Sequence, residues 1–291
     1  MPDYLTTREV AELLRIKERK VYELVSDNVI PVSRVTGKLL FPRDVIAAWV
    51  SRHTEFGAGQ EALKDHDPVV AGSHDPLLEW ALRESGAGLA VLSDGSSDGL
   101  QRLAAGNAVA AGLHLPETDG GFNVGAVRRH LPGQPVVVME WARRSQGLVL
   151  PRGNPKAIAG LADLAGSNLI PRQPGSGSRE LLDRLLAAAA PAPAVTLVDP
   201  PARNEADVAH AVATGHADAG LAIAAVARQY GLEFLALTEE RYDLAAWRRD
   251  VFDPPLQRLM AFCRRPAFAE RAEELGGYDV SGLGTVHYNG P

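Results

Sequence analysis

Three loops rich in serine and glycine each follow an apolar run and precede a helix-like run. They occupy residues 70–76, 94–99 and 174–179. Glycine lets the backbone approach a ligand, serine supplies a small neutral donor, and a helix start offers unpaired N–H groups with a partial charge of about +0.5. Several such loops meeting in one cleft would bind an anion. Each loop alone is weak evidence, because serine and glycine before a helix are also ordinary caps and turns.

The donors in these loops limit the choice of anion. A fully deprotonated tetrahedral oxyanion such as molybdate or tungstate offers only acceptors, so hydroxyl and N–H groups suit it. Sulfate is equally unprotonated, and cavity size would have to separate it from molybdate. Phosphate usually keeps a proton and needs an acceptor, which Asp75, Asp94 or Asp98 would provide. All four anions therefore stay open, as does a larger phosphate-bearing ligand.

One of the loops also fits an enzyme motif. Residues 95–99 satisfy the Gly-x-Ser-x-Gly pattern, with Ser97 as the serine of the motif. A later acid (Asp218 or Asp243) and then His287 follow in the chain order of a hydrolase triad. No segment that would form an oxyanion hole is recognisable, and anion binding explains the same glycines. We therefore expect no enzyme, no cofactor and no cation site.

Composition and charge divide the chain into a basic head and an acidic body. The 291 residues have a net charge of -6, but residues 1–54 contain nine Lys/Arg against seven Asp/Glu, which leaves the remainder at -8. A basic head on an acidic body indicates that only the head meets a polyanion. No apolar run approaches the roughly 18 residues of a spanning helix, and no basic-then-apolar leader begins the chain, so a cytoplasmic protein without membrane contact is expected. The single cysteine, Cys263, lies in an apolar run and is expected in the core.

The head has the pattern of two helices, a hairpin and a third helix. Thr6 and Glu9 form a capping box before the first helix, and the second helix runs from about residue 17 to residue 26. Residues 30–42 alternate around a glycine turn at 36–38, which predicts a β-hairpin. A helix over residues 43–52 completes the unit.

Residues 4–50 closely resemble the excisionase-type, MerR-like winged helix-turn-helix. The resemblance implies that residues 17–22 enter the major groove and that the hairpin lies along phosphates. Lys20 stands where the family more usually has Thr, so base preference stays open. The alternatives are a small helical cap with solvated charges and a module that docks a protein partner. The predicted DNA contacts are Thr7, Lys17, Arg19, Lys20, Tyr22, Arg34 and Lys38.

The body alternates short apolar runs with amphipathic helical runs, which predicts an α/β architecture with largely parallel sheets. In such sheets, ligands bind at the carboxyl ends of the strands, where the three serine loops lie. The predicted strands are 69–71, 88–92, 108–113, 136–139, 147–150, 169–170, 195–198, 219–223 and 234–237. The predicted helices are 76–85, 97–105, 177–190, 205–214 and 223–230.

Six ordered segments of the body, among them VAGSHDPLLEWAL, LIPRQPGSGSRELLDRLL and LGGYDVSGLG, resemble the PBP-like domain. This type II periplasmic-binding-protein fold occurs in cytoplasmic regulators and is similar to tungstate- and molybdate-binding proteins. The resemblance spans about residues 66–284 and implies two lobes joined by crossovers near 140–150 and 234–246. The implied ligand contacts are Ser73, His74, Ser96, Ser97, Ser176, Gly177, Ser178, Arg179 and Tyr242.

Three of these positions, and Pro171 before the third loop, need a qualification. His74 fits ligand contact and plain helix-start polarity equally, and Arg179 fits either the anion or an ion pair with a nearby acid. Pro171 stands where the family usually has Asn, which removes a polar side chain before the third loop. Ser178 replaces the usual Thr, which keeps the donor but loosens its rotamer.

The expected domains are a winged helix-turn-helix at 1–54, a linker at 55–66 and a PBP-like oxyanion-binding domain at 67–291, with lobe 1 at about 67–143 and 240–291 and lobe 2 at about 144–239. We expect a transcriptional regulator that binds double-stranded DNA, senses tungstate or molybdate, and forms a dimer or higher homo-oligomer. The alternative is a cytoplasmic oxyanion-binding or molybdenum-cofactor-related protein with a protein-docking head. A periplasmic transport receptor ranks lower.

Overall fold

The computed structural model describes residues 4–35, 37–52, 65–117 and 120–291. The chain forms two compact units, Met1–Leu63 and Lys64–Pro291. Most of the predicted linker, residues 55–64, and Thr36 of the predicted hairpin turn lie outside the described residues. None of the described helices is long and apolar enough to cross a membrane.

The first unit has the predicted helices and hairpin, plus one short strand that the pattern did not predict. Its elements are β1 Tyr4–Leu5, α1 Thr7–Leu14, α2 Glu18–Ser26, β2 Ser33–Val35, β3 Lys38–Pro42 and α3 Arg43–Arg52. The capping box forms, since the Glu9 N–H donates to Thr6 Oγ1 at 3.3 Å and the Thr6 N–H donates to the Glu9 carboxylate at 2.7 Å. β1 pairs with β3, which makes the hairpin a three-stranded sheet.

The core of the first unit comes from the apolar stripes of its helices and from β3. Val10, Val21, Phe41 and Ile46 have no exposed surface and pack in one cluster. Burial on this scale is worth about 1.5–3 kcal/mol for each large side chain. The stripe fixes which face of α2 turns inward, and so leaves the basic residues on the opposite face.

The second unit is built from one curled ten-stranded sheet flanked by helices. Its strands are β4 Val69–Gly72, β5 Ala90–Leu92, β6 Ala110–Leu113, β7 Val136–Leu150, β8 Asn168–Ile170, β9 Thr196–Leu197, β10 Ala219–Ile223, β11 Glu233–Trp247, β12 Tyr278–Asp279 and β13 Val286–Asn289. Its helices are α4 Pro76–Glu84, α5 Ser96–Ala104, α6 Val124–His130, α7 Gly177–Ala188, α8 Glu205–Ala213, α9 Ala224–Gln229, α10 Pro254–Cys263 and α11 Pro266–Leu275.

The sheet has two parallel ends joined by two long antiparallel strands. Its order is β5-β4-β6-β11-β7-β10-β8-β9, with β12 and β13 also on β7. Strands β4, β5 and β6 are parallel in one lobe, and β8, β9 and β10 are parallel in the other. β7 and β11 pair along their whole length and serve both lobes, at the positions predicted for the crossovers. The carboxyl ends of the parallel strands carry the three serine loops.

Two predictions about the second unit need correction. The apolar runs 136–139 and 147–150 belong to one strand, because the polar residues between them, such as Glu140 and Arg144, are buried rather than in a turn. Helices α6, α10 and α11 and strands β12 and β13 were not predicted. Of these, α10 and α11 each begin with proline at a position where proline is favoured. The Cys263 prediction is confirmed: its side chain is buried, and burial raises the pKa of the thiol to about 12.

Candidate functional site

The first two serine loops meet in the buried interior of one lobe. Ser73 Oγ lies 2.9 Å from Ser96 Oγ, and the backbone N–H of His114 donates to Ser96 Oγ at 3.2 Å. Tyr242 donates its hydroxyl to the carbonyl oxygen of Ser73 at 2.5 Å. Loops that follow β4 and β6 are thereby joined to the start of α5 and to the long strand β11.

Glycine permits this close approach. Gly72 has a φ of 114°, a conformation that side-chain-bearing residues rarely adopt, and a Cβ added at Gly99 would lie 2.5 Å from the Gly72 Cα. A Cβ at Gly112 would collide with the Tyr242 hydroxyl. Helix α5 therefore packs directly on the backbone of β4 and against the Ala111 side chain of β6, and Ser96 reaches Ser73.

The third loop, from the other lobe, contacts the second. Ser97 donates to the carbonyl oxygen of Gly175 at 3.1 Å across the cleft. Ser176 is the N-cap of α7 and accepts the Arg179 N–H at 3.2 Å. The buried hydroxyl of Ser178 donates to Glu205 Oε1 at 3.2 Å.

His114 lies between the two lobes. It follows β6 and is only 2% exposed. A Cβ added at Gly177, the first residue of α7, would lie 2.9 Å from the His114 carbonyl oxygen and 3.1 Å from its ring Cε1. Because the His114 N–H also binds Ser96, the first residue of α5, the starts of two helices from opposite lobes flank this one histidine.

Two of the predicted contacts, His74 and Arg179, have acidic partners. His74 Nε2 lies 3.3 Å from Glu79 Oε2, and no described group hydrogen bonds to its buried Nδ1. Arg179 Nε lies 2.9 Å from Asp183 Oδ2 in a partly exposed i,i+4 pair. For Arg179, this is the ion-pair alternative that the sequence left open.

A buried charge cluster behind the serine loops was missed by the sequence reasoning. The side chain of Arg144 has no exposed surface; its guanidinium donates to Asp75 Oδ2 at 3.0 Å and to Glu240 Oε1 at 2.8 Å, and lies 4.3 Å from the Tyr242 ring centroid. Tyr278 donates to Asp75 at 2.7 Å. The available signal was the run of polar residues between two apolar halves of one strand.

Glu240 links this cluster to His114. Its Oε2 lies 2.9 Å from His114 Nδ1 and accepts from Gln146 Nε2 at 3.1 Å. Burial alone would raise the pKa of this carboxyl, but the charge of Arg144, with the contribution of His114, lowers the pKa of Glu240 to about 2. Glu240 is therefore a carboxylate at any physiological pH.

A second buried carboxylate lies on the other side of Gln146. Glu205 accepts from Gln146 Nε2 at 3.3 Å and from the Ile223 N–H at 2.9 Å, in addition to Ser178. Arg172, also buried, has its pKa lowered by burial, a shift that nearby Glu205 opposes. Each of these carboxylates has a donor, so the cluster is stable while buried.

A cavity of about 50 Å³ opens between the lobes beside His114. Groups from both lobes and from β11 line it. The lining residues are His114, Pro116, Phe122, Gly177, Leu181, Arg184, Thr238, Glu239 and Glu240. Gly177 belongs to the predicted ligand set, whereas none of the predicted serines is among the residues that line the cavity.

The predicted DNA contacts lie mostly on the surface of the first unit. Lys17, Arg19, Lys20 and Tyr22 are exposed at the start and along the outer face of α2. Arg34 and Lys38 are exposed on the hairpin, and Thr7 is half-buried in the first turn of α1. Arg19 and Lys20 both reach the Glu23 carboxylate, at 3.3 and 3.1 Å. Exposed pairs of this kind are worth little, so DNA phosphates can compete for these cations.

The groups of the alternative hydrolase motif have other partners. Ser97 donates to Gly175, His287 Nε2 lies 2.8 Å from Glu140, and Asp243 Oδ1 accepts from Arg241 at 2.9 Å. Asp218 pairs with Lys156 at 2.7 Å. Ser97 and His287 thus contact different groups, and no triad forms among them.

Comparisons with known proteins agree with both units. A family model described as the PBP superfamily domain matches residues 79–264, and a helix-turn-helix domain model matches residues 4–54. The Bacillus subtilis (strain 168) protein YvgK is 28% identical over 303 residues, which cover 97% of this chain and 96% of that protein.

Two solved structures share the fold. A cysteine mutant of Corynebacterium glutamicum OxyR superposes with a TM-score of 0.52 at 13% identity, covering 93% of this chain and 89% of that one. The ancestral amino acid-binding protein AncCDT-1 superposes with a TM-score of 0.50 at 15% identity, covering 71% and 93%. The predicted fold class, a helix-turn-helix followed by a two-lobed α/β domain, is confirmed.

Proposed function

Because the chain belongs to the PBP superfamily and has a helix-turn-helix domain at its N-terminus, we propose that it is a transcriptional regulator that binds DNA in response to a small oxyanion held between its lobes, molybdate or tungstate in the first place. The two domains are those of a regulator or a binding protein rather than an enzyme. The serine loops and His114 are the proposed ligand contacts.

The meeting of two helix starts at His114 is the main support for an anion. α5 and α7 come from opposite lobes and each contributes a partial charge of about +0.5 at its N-terminus. The neutral Ser96 hydroxyl, which accepts from the His114 N–H, lies at the same point, and neutral donors of this kind suit a ligand that has only acceptors. An anion between the two starts would hold the lobes together.

The size of the cavity favours a small ligand. At about 50 Å³ it has room for a small ion, whereas sites for drug-sized molecules are roughly 300–1,000 Å³. This volume favours an inorganic oxyanion over a phosphate-bearing cofactor derivative. Titration with molybdate, tungstate, sulfate and phosphate in turn distinguishes these four anions.

The first test measures DNA affinity with and without each anion. DNA fragments selected by the full-length protein from sheared genomic DNA serve as probes. We expect molybdate or tungstate to change the affinity by about tenfold or more, which corresponds to about 1.4 kcal/mol of coupling. DNA affinity that ignores molybdate, tungstate, sulfate and phosphate alike would exclude the proposed sensor.

Lys20 is expected to contribute to DNA binding by the head. Replacing Lys20 with alanine removes an exposed cation from α2 and is expected to weaken DNA binding. If Lys20 contacts a phosphate, the slope of log affinity against log salt becomes shallower by about 0.9; if it contacts a base, sequence preference relaxes instead. Arg83→Ala, in the second unit, is the control and should change neither quantity. A wild-type slope near zero would favour protein docking by the head.

We propose that two copies of the protein bind DNA as a homodimer. Two recognition helices reach successive major grooves when they are about 34 Å apart, so a ligand that changes the spacing of two heads can switch affinity. The ligand must bind the two arrangements unequally for this to work. DNA binding also requires the protein to share a compartment with DNA.

A further inference from the structure

His114 is the group that all parts of the proposed site share. It binds Ser96 through its backbone N–H, packs on Gly177 of the opposite lobe and lines the cavity with Glu240. No sequence motif marks this histidine, since it lies outside the three serine loops. Because His114 is buried beside the cavity, its protonation state affects how strongly a charged ligand binds there.

The hydrogen bonds of His114 decide which ring nitrogen faces a ligand. Glu240 is ionised, so its carboxylate can only accept, and His114 Nδ1, 2.9 Å away, must therefore hold a hydrogen. In the neutral ring, Nε2 is then an acceptor. Among the described residues, none forms a hydrogen bond with Nε2. A neutral His114 thus offers a lone pair, which repels a ligand that has only acceptors.

The charges around His114 also oppose a bare dianion. From β11 it is faced by Glu240, Glu239 and the Tyr242 ring, from α7 by Arg184, and beyond Glu240 lies Arg144 of β7. Within the buried cluster, three carboxylates stand against two guanidinium groups, which leaves a net charge of -1. The groups counted are Asp75, Glu205, Glu240, Arg144 and Arg172.

Resting on the proposed function, we propose that His114 contacts the anion through Nε2 and binds a proton when a fully deprotonated oxyanion enters. The site is then one for an anion together with a proton. The imidazolium donates from both nitrogens, one to Glu240 and one to the anion, and adds a positive charge where the cluster is negative. Hydrogen phosphate needs no such proton, because its own P–OH group can donate to neutral Nε2.

The coupling between anion binding and proton binding predicts how the anion affinity changes with pH. The complex with molybdate, tungstate or sulfate binds more protons than the free protein, so the affinity for these anions falls as the pH rises. One proton bound together with each anion corresponds to a fall of about tenfold per pH unit. Binding of hydrogen phosphate lacks this dependence.

Calorimetry of the full-length protein at pH 8 tests the inference. Each anion is titrated in several phosphate-free buffers of different ionisation enthalpy, and the slope of the observed heat against that enthalpy gives the protons taken up. We expect a value near one for molybdate, tungstate or sulfate and near zero for phosphate. This contrast is made within the wild-type protein and needs no variant to fold.

Two variants identify the proton-binding group. His114→Gln keeps a neutral donor near the position of Nε2, so the dianions should still bind at pH 6, about tenfold more weakly, with no proton uptake and no pH dependence. Circular dichroism confirms that this variant is folded. His210→Gln, an exposed histidine on α8, is the control and should keep the wild-type uptake.

The outcomes separate the inference from the function on which it rests. If none of the four anions binds the wild type, the oxyanion function is wrong and the inference falls with it. If dianions bind without proton uptake, or if His114→Gln keeps the uptake, the inference is wrong while the function stands. Uptake that disappears in His74→Gln but not in His114→Gln would assign the proton to the first loop and also overturn it.

Discussion

Replacing Arg144 with methionine is expected to lower the free energy of unfolding of the second unit by about 3–5 kcal/mol. Arg144 is fully buried and its guanidinium forms ion pairs with both Asp75 and Glu240. Methionine has a similar volume but no donors, so the variant leaves two buried carboxylates with an uncompensated charge. Desolvated charge of this kind is among the largest single costs in a folded protein.

Urea unfolding followed by circular dichroism measures this effect. The double variant Arg144→Met, Glu240→Gln should recover part of the loss, because it removes one of the two orphaned charges. Lys156→Met is the matched control: its pair with Asp218 is 44% and 26% exposed, and its loss should cost less than about 1 kcal/mol. If Arg144→Met lowers the free energy of unfolding as little as this control does, the buried ion pairs of Arg144 are not essential for stability.

The same cluster predicts how stability depends on pH. The pKa of Glu240 is about 2 in the folded protein, against an ordinary value of 4.5. A carboxyl whose pKa falls on folding stabilises the protein at pH values above its unfolded pKa, and the contribution is lost as the pH falls from about 4.5 towards 2. The shift corresponds to about 3 kcal/mol. Glu240→Gln should remove this part of the acid sensitivity.

Gly177→Val is expected to weaken anion binding by about a hundredfold or more while the protein stays folded. The added Cβ would lie 2.9 Å from the His114 carbonyl oxygen and 3.1–3.2 Å from its ring, so the start of α7 must move away from the start of α5. The two helix ends then no longer share one anion. Gly177 does not have a positive φ, so valine causes no backbone strain there. The expected loss of anion affinity therefore comes from the broken contact between the two lobes.

Titration calorimetry with molybdate and tungstate, beside thermal unfolding, measures both parts of this prediction. Gly160→Val is the control, since a Cβ at Gly160 meets nothing within 4 Å and its φ of -167° suits any residue. The control should bind as the wild type does. Affinity within threefold of the wild type in Gly177→Val would place the anion away from the contact between α5 and α7.

Local signals in the sequence were sufficient for most of the elements and for the positions of the loops. The capping box of Thr6 and Glu9 places the start of α1, and the alternation of apolar and amphipathic runs predicts the strands and helices around Ser73, Ser96 and Ser176. These signals depend on residues three or four apart or on a two-residue alternation, so they can be read without knowing the fold. The ligand contacts assigned to these loops remain predictions.

Only the tertiary structure decided which charges meet behind the loops. Arg144 and Glu240 are 96 residues apart, and Arg144 and Asp75 are 69 apart. They come together because β7 and β11 pair in one register and because the loop after β4 lies above them, which no local pattern records. In a strand buried on both faces, a polar residue reads as an interruption until its partner is known. For the same reason His114 could be recognised only when its carboxylate, its helix starts and its cavity were seen together.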